Sequence, residues 1–269
     1  NFKVDISFDG YELDTVNFKH DKTRDFMNKI DEQVIDDAVT TITKDAPDLS
    51  WIYLEYTDDM GHMYGDSPQF ETAIKKLDVQ LGKVYDAIAI REKNNNEDWL
   101  LVVTTDHGRD EKTGKNHGGQ SDRQRSTWMV SNYKPLNNYA MYYRPAIVDI
   151  MPSIARFMNV KLPKSVQDEI DGTPLIGDVS IAQVEANFVH GSIDLNWKAL
   201  KTEGKLKVYL TTTNSFKTGG KDEYVLLGEV NVAQKHAFFN IEEYPSDFYK
   251  IVLEAPHNTV NKWIILKSK

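Results

Sequence analysis

The chain has no cysteine, no excess of basic residues and no long apolar run. Without cysteine it can form neither a disulfide bond nor a thiolate metal site. The net charge of −9 over 269 residues argues against a nucleic-acid polymer or an anionic membrane as partner, because both favour excess lysine and arginine. A small anionic substrate stays open, since a bound metal ion can reverse the local field. No apolar stretch approaches the length of a membrane span, and no signal peptide is recognisable.

The first half of the chain alternates between strand and helix patterns. Apolar residues at every second position predict a strand at residues 2–8, and apolar runs predict further strands at residues 51–56, 99–104 and 127–131. Polar segments follow the second and third of these strands. Open α/β sheets build their sites in this way, at the carboxyl ends of strands.

Three helices are predicted between and after these strands. Asp21 can cap the first, whose apolar residues recur every four positions over residues 26–42, and Pro47 lies beyond its end. The second runs over about residues 68–93, and the third extends from a capping Asp149 to about residue 158. The apolar face of the second helix is predicted to comprise Phe70, Ile74, Leu77, Leu81, Val84 and Ile88.

From about residue 178 the apolar pattern changes to a period of two. About seven short strands, separated by glycine and asparagine turns, fit into this part, which is typical of a β-sandwich of immunoglobulin or fibronectin III kind. We therefore predict an α/β sheet domain over residues 1–177 and an all-β sandwich over residues 178–269. Trp197 and Trp263 are predicted to lie in the sandwich core; if exposed, they would favour carbohydrate binding instead.

Three short polar segments carry the candidate site: residues 58–62 (DDMGH), 105–108 (TDHG) and 116–119 (NHGG). Each segment alone is a weak signal, because aspartate and histidine pairs at such spacings are mostly surface residues or helix caps. Together, at the ends of two neighbouring predicted strands, their oxygen and imidazole groups suit two divalent cations, most simply zinc. The candidate metal ligands are Asp58, His62, Asp106, His107 and His117.

These segments resemble those of the alkaline phosphatase superfamily, in particular its nucleotide pyrophosphatase/phosphodiesterase branch and the related ethanolamine-phosphate transferases. The branch has an Asp-x-x-Gly-His segment, an Asp-His-Gly segment after an apolar strand, and a later His-Gly. The similarity extends over about residues 21–176 and includes VDIMPS at 148–153 and Asp171-Gly172. Sulfatases share the superfamily but usually lack the Asp-x-x-Gly-His segment, which disfavours them.

The resemblance implies two metal sites with different ligands. Asp58, His62 and His117 would hold one zinc ion. Asp106 and His107 would hold the other, together with a further aspartate.

In this family the further aspartate lies on the first strand, and a threonine or serine on the following helix is the nucleophile. Asp9 is a candidate for that aspartate, but a turn aspartate is the favoured interpretation, since no threonine or serine follows it at the head of a convincing helix. We therefore expect no catalytic nucleophile in this chain. The chain is expected to be the carboxyl-terminal part of a longer enzyme, weak in metal binding and nearly inactive alone.

The sequence thus predicts a two-metal hydrolase of small phosphate esters, and the resemblance favours a secreted or periplasmic bacterial protein. A metal-dependent phosphomutase and a degenerate, non-catalytic binding module are the alternatives. Neither the particular ester, the identity of the metals nor the oligomeric state follows from the residues. Four basic side chains near the metal segments could steady a phosphate or form a solvated charged loop with acidic neighbours: Arg109, Lys115, Arg123 and Arg125.

Overall fold

A computed structural model describes residues 3–266 of the chain. It divides into two compact units, Asn1–Trp128 and Met129–Lys269. Helices dominate the first unit and antiparallel sheets the second, so the chain is of mixed α/β class, as predicted. The predicted boundary between sequence domains after residue 177 stays a prediction. No helix among the described residues is long and apolar enough to cross a lipid bilayer.

The first unit consists mainly of helices joined by irregular segments. Its elements are a 3-10 turn (Tyr11–Leu13), α1 (Asp25–Asp45), α2 (Tyr56–Tyr64), α3 (Pro68–Asn95), β1 (Val102–Thr104) and α4 (Asp122–Arg125). The Asp21 carboxylate accepts the backbone N–H groups of Asp25 and Phe26 at 3.2 and 3.1 Å, so it caps α1 as predicted. α1 and α3 share a buried core: Ile35, Ile42, Val84, Ala87 and Ile88.

Helix α3 follows the prediction in extent and, with the exception of Ile74, in the side that it buries. Ser67 is its N-cap and accepts the N–H of Phe70 at 3.3 Å, and Pro68 occupies the first helical position. Ile74, predicted to be buried, is 46% exposed, whereas Ala73 beside it is buried. The contact face therefore includes small residues that an argument from large apolar side chains passes over.

The predicted strands at residues 2–8 and 51–56 are wrong. Phe2 lies outside the described residues, residues 3–8 form no strand, and residue 56 is already the start of α2. Trp51 is 91% exposed. An apolar pattern alone cannot make a strand, because its N–H and C=O groups must also meet a neighbouring strand. The other two predicted strands are present in shorter form, as β1 and as β2 (Met129–Ser131).

The second unit begins with short helices: α5 (Asn138–Tyr142), α6 (Ile150–Phe157), α7 (Lys164–Gln167) and a 3-10 turn (Ile147–Asp149). α6 has the predicted extent, but Asp149 does not cap it with its side chain. The buried Asp149 carboxylate instead accepts the Tyr139 hydroxyl at 2.8 Å and the N–H groups of Ala146 and Thr173 at 2.7 and 2.6 Å. The carboxylate thereby ties three segments together.

In the described part of this unit, up to residue 266, seven strands follow in two antiparallel sheets, which agrees with the predicted number. The three-stranded sheet has the order β3 (Ile181–Val189), β4 (Ser192–Ala199), β7 (His236–Asn240). The four-stranded sheet has the order β6 (Val225–Asn231), β5 (Lys205–Thr211), β8 (Phe248–Glu254), β9 (Thr259–Ile265).

Both sheets contribute to one buried core. Trp197 lies in it, as predicted, and its indole N–H donates to the carbonyl of Val232 at 2.8 Å. Trp263 does not: it is 47% exposed, because Val260 and Ile264 are the inward residues of β9. The immunoglobulin or fibronectin III assignment stays a prediction.

Candidate metal centre

Helix α2 carries the first two candidate ligands, and a buried carboxylate binds the backbone N–H groups at its start. The Asp31 side chain of α1 accepts the N–H groups of Glu55 and Tyr56, each at 3.0 Å. These N–H groups have no acceptor within α2, so Asp31 satisfies them. The sequence predicts a loop after a strand around Asp58, and this prediction is wrong, since Asp58 lies in the first turn of α2.

The helix makes the spacing of Asp58 and His62 meaningful. Residues four apart lie on one face of an α-helix. The Nε2 atom of His62 is accordingly 3.2 Å from Oδ2 of Asp58.

The loop before α4 carries His117, and Asp110 shapes it. The Asp110 carboxylate accepts four backbone N–H groups within 3.0 Å, from residues 112, 113, 115 and 116. The N–H groups of Asn116 and Thr113 hold the pKa of this carboxyl well below its usual range. Asp110 thus fixes the conformation of the chain directly before His117.

The three histidines converge, although they come from distant parts of the sequence. The Nε2 atoms of His62 and His117 are 3.0 Å apart, and the rings of His107 and His117 stack with their centroids 3.8 Å apart. Oδ1 of Asp58 lies 3.9 Å from Nε2 of His117 and 3.8 Å from Nε2 of His107. Asp106 lies at the edge of this group, with its Oδ1 atom 3.6 Å from Nε2 of His107.

One subset has the geometry of a single ion site. Ligand atoms of Asp58, His62 and His117 all lie within 4.8 Å of one another. Burial lowers the pKa of His117 and the neighbouring His107 adds to this, which favours the neutral imidazole that binds metal. The donor set of one carboxylate and two imidazoles fits a divalent transition-metal ion such as zinc.

The ring of His107 is oriented by a backbone carbonyl. Its Nδ1 atom is 3.0 Å from the carbonyl oxygen of Gly108, an acceptor that places the proton on Nδ1. The lone pair is then on Nε2, which faces Asp58 and Asp106. A hydrogen bond of this kind commonly fixes the tautomer of a ligating histidine.

Asp9 behaves as the favoured interpretation predicts. Its carboxylate accepts the N–H of the next residue, Gly10, at 2.6 Å. That contact is typical of an aspartate in a turn.

The four basic residues near the site have different surroundings. Arg123 forms a bidentate pair with Asp66 at 2.6 and 2.8 Å, and Arg125 pairs with Asp122 at 3.1 Å; these are the charged-loop contacts that the sequence allowed. Arg109 is different, because it is 8% exposed and bonds directly to Asp58. Sequence reasoning did not find this contact, because it did not predict that Gly61 lies inside a helix.

Sequence comparison relates this part of the chain to known proteins. Residues 3–126 match the model of a family described as type I phosphodiesterase / nucleotide pyrophosphatase. A 2,3-bisphosphoglycerate-independent phosphoglycerate mutase of Mycoplasma mycoides is 26% identical over 137 residues, which cover 51% of this chain and 25% of the mutase. GPI ethanolamine phosphate transferase 2 of Schizosaccharomyces pombe is 29% identical over 134 residues, which cover 43% of this chain and 17% of the transferase.

These relatives are members of the alkaline phosphatase superfamily, so the resemblance that the motifs indicate is confirmed. The chain spans a quarter or less of the length of the two relatives. No solved structure matches it significantly.

Proposed function

We propose that this chain supplies metal ligands to an enzyme that hydrolyses small phosphate esters. The proposal starts from the match of residues 3–126 to the type I phosphodiesterase / nucleotide pyrophosphatase family. The family match and the relatives support phosphoryl transfer as the reaction class. The observation that carries the proposal is the convergence of ligand atoms from Asp58, His62 and His117.

In this proposal two ions bind, and zinc is the first candidate. Asp58, His62 and His117 hold one ion, while Asp106 and His107 belong to the second site. When bound, the ions polarise the phosphoryl oxygens and screen their charge. The side chains of this chain hold those ions, and their arrangement on α2 and two loops sets the spacing between the two sites.

A second candidate differs only in the group that accepts the phosphoryl. The two relatives are named as a mutase and as a transferase, which favours transfer to a hydroxyl group of a substrate over transfer to water. A non-catalytic binding module is the third outcome. Product analysis with the protein in its full natural length distinguishes all three: free alcohol and phosphate, a transferred phosphoester, or no turnover.

We infer further that the nucleophile and the remaining aspartate come from outside this chain. Two features support this inference. The relatives are at least four times as long as the part that matches, and Leu49, Trp51 and Tyr53 expose large apolar side chains just before α2. A longer enzyme of this kind would be secreted or periplasmic and would carry residues 178–269 as a fibronectin III-like accessory domain. Two features support this domain assignment: Trp197 is buried, and the Ser246 N–H donates to the Tyr249 hydroxyl oxygen at 2.9 Å.

Titration of the chain with Zn²⁺ tests the metal site. We expect dissociation constants above the micromolar range, because a site with few protein ligands loses affinity. His62→Ala and His117→Ala should each abolish the binding, and the control His236→Ala, whose imidazole pairs with Asp194 at 2.7 Å in the second unit, should leave it unchanged.

Two results would contradict parts of this proposal. Equal zinc binding by wild type and both site variants would exclude the site itself. Submicromolar zinc affinity, or robust hydrolysis of bis-p-nitrophenyl phosphate by this chain alone, would exclude the inference that essential groups come from outside it.

A further inference from the structure

The guanidinium of Arg109 is built into the candidate metal centre without being one of its ligands. The residue directly follows the Asp-His-Gly segment, and its side chain is almost completely buried. Its Nη2 atom donates to the backbone carbonyl of Asp58 at 2.7 Å and also to Oδ1 of the same residue. Its Nη1 atom donates to the carbonyl of Lys115 at 3.1 Å.

These bonds join the two segments that supply the single-ion site. Asp58 and His62 lie on α2, whereas His117 lies on a loop two residues beyond Lys115. One planar guanidinium therefore connects a ligand residue on the helix with the backbone next to the ligand on the loop. The planar, multiply donating group of arginine suits such a task, and the single ammonium of lysine does not.

The contact also leaves one oxygen of Asp58 available. Because Oδ1 is the oxygen that Arg109 binds, Oδ2 is the one that faces His62. The guanidinium thereby sets the rotation of the carboxylate, which places Oδ2 3.2 Å from Nε2 of His62 and Oδ1 3.9 Å from Nε2 of His117.

Gly61 provides the space that Arg109 occupies. A Cβ atom at position 61 would lie 2.1 Å from Cζ and 2.3 Å from Nε of Arg109. Glycine is unfavourable in the interior of a helix compared with alanine, so its presence in α2 calls for a packing reason. The guanidinium also lies 5.8 Å from the centroid of the Phe70 ring, within the range of a cation–π contact.

We propose that Arg109 is a positioning residue for the metal ligands. Gly61 makes this position possible, because it has no side chain where the guanidinium lies. The inference rests on the proposed function, since it presumes that Asp58, His62 and His117 bind an ion. Two effects of Arg109 oppose each other. Its charge repels a cation, but that charge is paired with Asp58, and the loss of a group that orients a metal ligand typically weakens metal affinity 10- to 100-fold. The orienting effect is therefore expected to win.

The test compares Zn²⁺ affinity with thermal stability in four single variants and one double variant of the whole chain. Binding is followed by NMR of the histidine side chains, which also measures weak affinities. Arg109→Met removes both the charge and the hydrogen bonds, whereas Arg109→Lys keeps the charge and loses the geometry. Gly61→Ala displaces the guanidinium while keeping it in the chain. Arg125→Met, which breaks only an exposed pair, is the matched control.

We expect roughly 10- to 100-fold weaker Zn²⁺ binding in Arg109→Met, Arg109→Lys and Gly61→Ala, and no change in Arg125→Met. The melting temperature of metal-free Gly61→Ala should fall less than that of Arg109→Met, because alanine favours the helix and offsets part of the loss of the Arg109 bonds. A similar loss of affinity in these two variants at different stabilities is a result that a merely structural role would not give. The double variant Gly61→Ala/Arg109→Met should bind no more weakly than Arg109→Met, since both changes remove the same contact.

The outcomes separate this inference from the proposed function. If the wild type binds no zinc, both fail. If the wild type and Gly61→Ala bind Zn²⁺ equally well at similar stability, only the proposed role of Arg109 fails. Tighter Zn²⁺ binding by Arg109→Met would also overturn that role, since charge repulsion would then dominate. Should Arg109→Met not fold, Gly61→Ala and Arg109→Lys still decide.

Discussion

Each of the two units contains a buried cation beside carboxylates, and the two clusters are built in opposite ways. In the second unit the Lys250 side chain has no exposed surface. Its Nζ atom donates to Oδ2 of Asp222 at 2.8 Å, to the carboxylate of Glu169 and to Oδ1 of Asn214 at 3.3 Å. Every group of this cluster finds a complementary partner inside the protein.

The first unit instead brings similar groups together. Three imidazoles and the Asp58 carboxylate converge, and the Nε2 atoms of His62 and His117 face each other. A shared proton can satisfy the pair of Nε2 atoms, whereas a divalent cation could bind Asp58, His62 and His117 together. The buried charges around Lys250 satisfy one another and so have a structural role, whereas the first unit holds a group of side chains that could bind a metal ion.

The largest effect is expected when the buried cation of the second unit, Lys250, is removed. Lys250→Met leaves Glu169 and Asp222 with buried, unpaired charge, so we expect the free energy of unfolding to fall by about 3–5 kcal/mol. Urea unfolding followed by hydrogen exchange of residues 181–265 measures this loss. Lys201→Met, which breaks an exposed pair with Asp178, should cost less than about 1 kcal/mol. Equal losses in the two variants would show that burial of the Lys250 cluster carries no penalty.

Asp31, in the first unit, is a buried carboxylate whose hydrogen-bond partners are backbone N–H groups, unlike the carboxylates that pair with Lys250. Burial raises the pKa of Asp31 to about 6 from an ordinary value of 3.8. The folded state then holds a proton that the unfolded state releases, so the contribution of Asp31 to stability is present at low pH. It is lost as the pH rises from about 4 to 6, by about 3 kcal/mol.

The difference in unfolding free energy between wild type and Asp31→Asn, measured from pH 3.5 to 7, should show this step. Asp36→Asn is the control, because Asp36 forms only an exposed pair with Lys83 and its replacement should leave no comparable step. A pH-independent difference for Asp31→Asn would contradict the raised pKa.

The mildest change is at the start of α3, where one neutral hydroxyl group, that of Ser67, stabilises the helix end instead of a cluster of charged groups. Ser67→Ala removes the acceptor for the N–H of Phe70 and should cost about 1 kcal/mol. Thr72→Ala, inside the same helix, should be neutral or stabilising, because the Thr72 hydroxyl bonds only to the carbonyl of Pro68. Thermal unfolding of both variants measures the difference, and equal effects would mean that the cap is unimportant.

Local patterns predicted those elements that depend on nearby residues. α1, α3 and α6 have the predicted extents because their apolar periodicity, prolines and capping groups act within a few residues along the chain. The strands around Trp197 alternate as predicted for the same reason. The segment at residues 51–56 failed, since a strand is completed only by a partner that no local pattern specifies.

The sequence by itself determined which residue types are available for chemistry: the absence of cysteine, and carboxylates and imidazoles grouped in three motifs. Only the tertiary structure decided that His62 and His117 meet, that α2 rather than a loop carries Asp58, and that Arg109 turns inward instead of toward solvent. The physical reason is distance along the chain. Contacts between residues separated by fifty positions depend on the packing of whole elements, and a pattern in the sequence describes each element only one at a time.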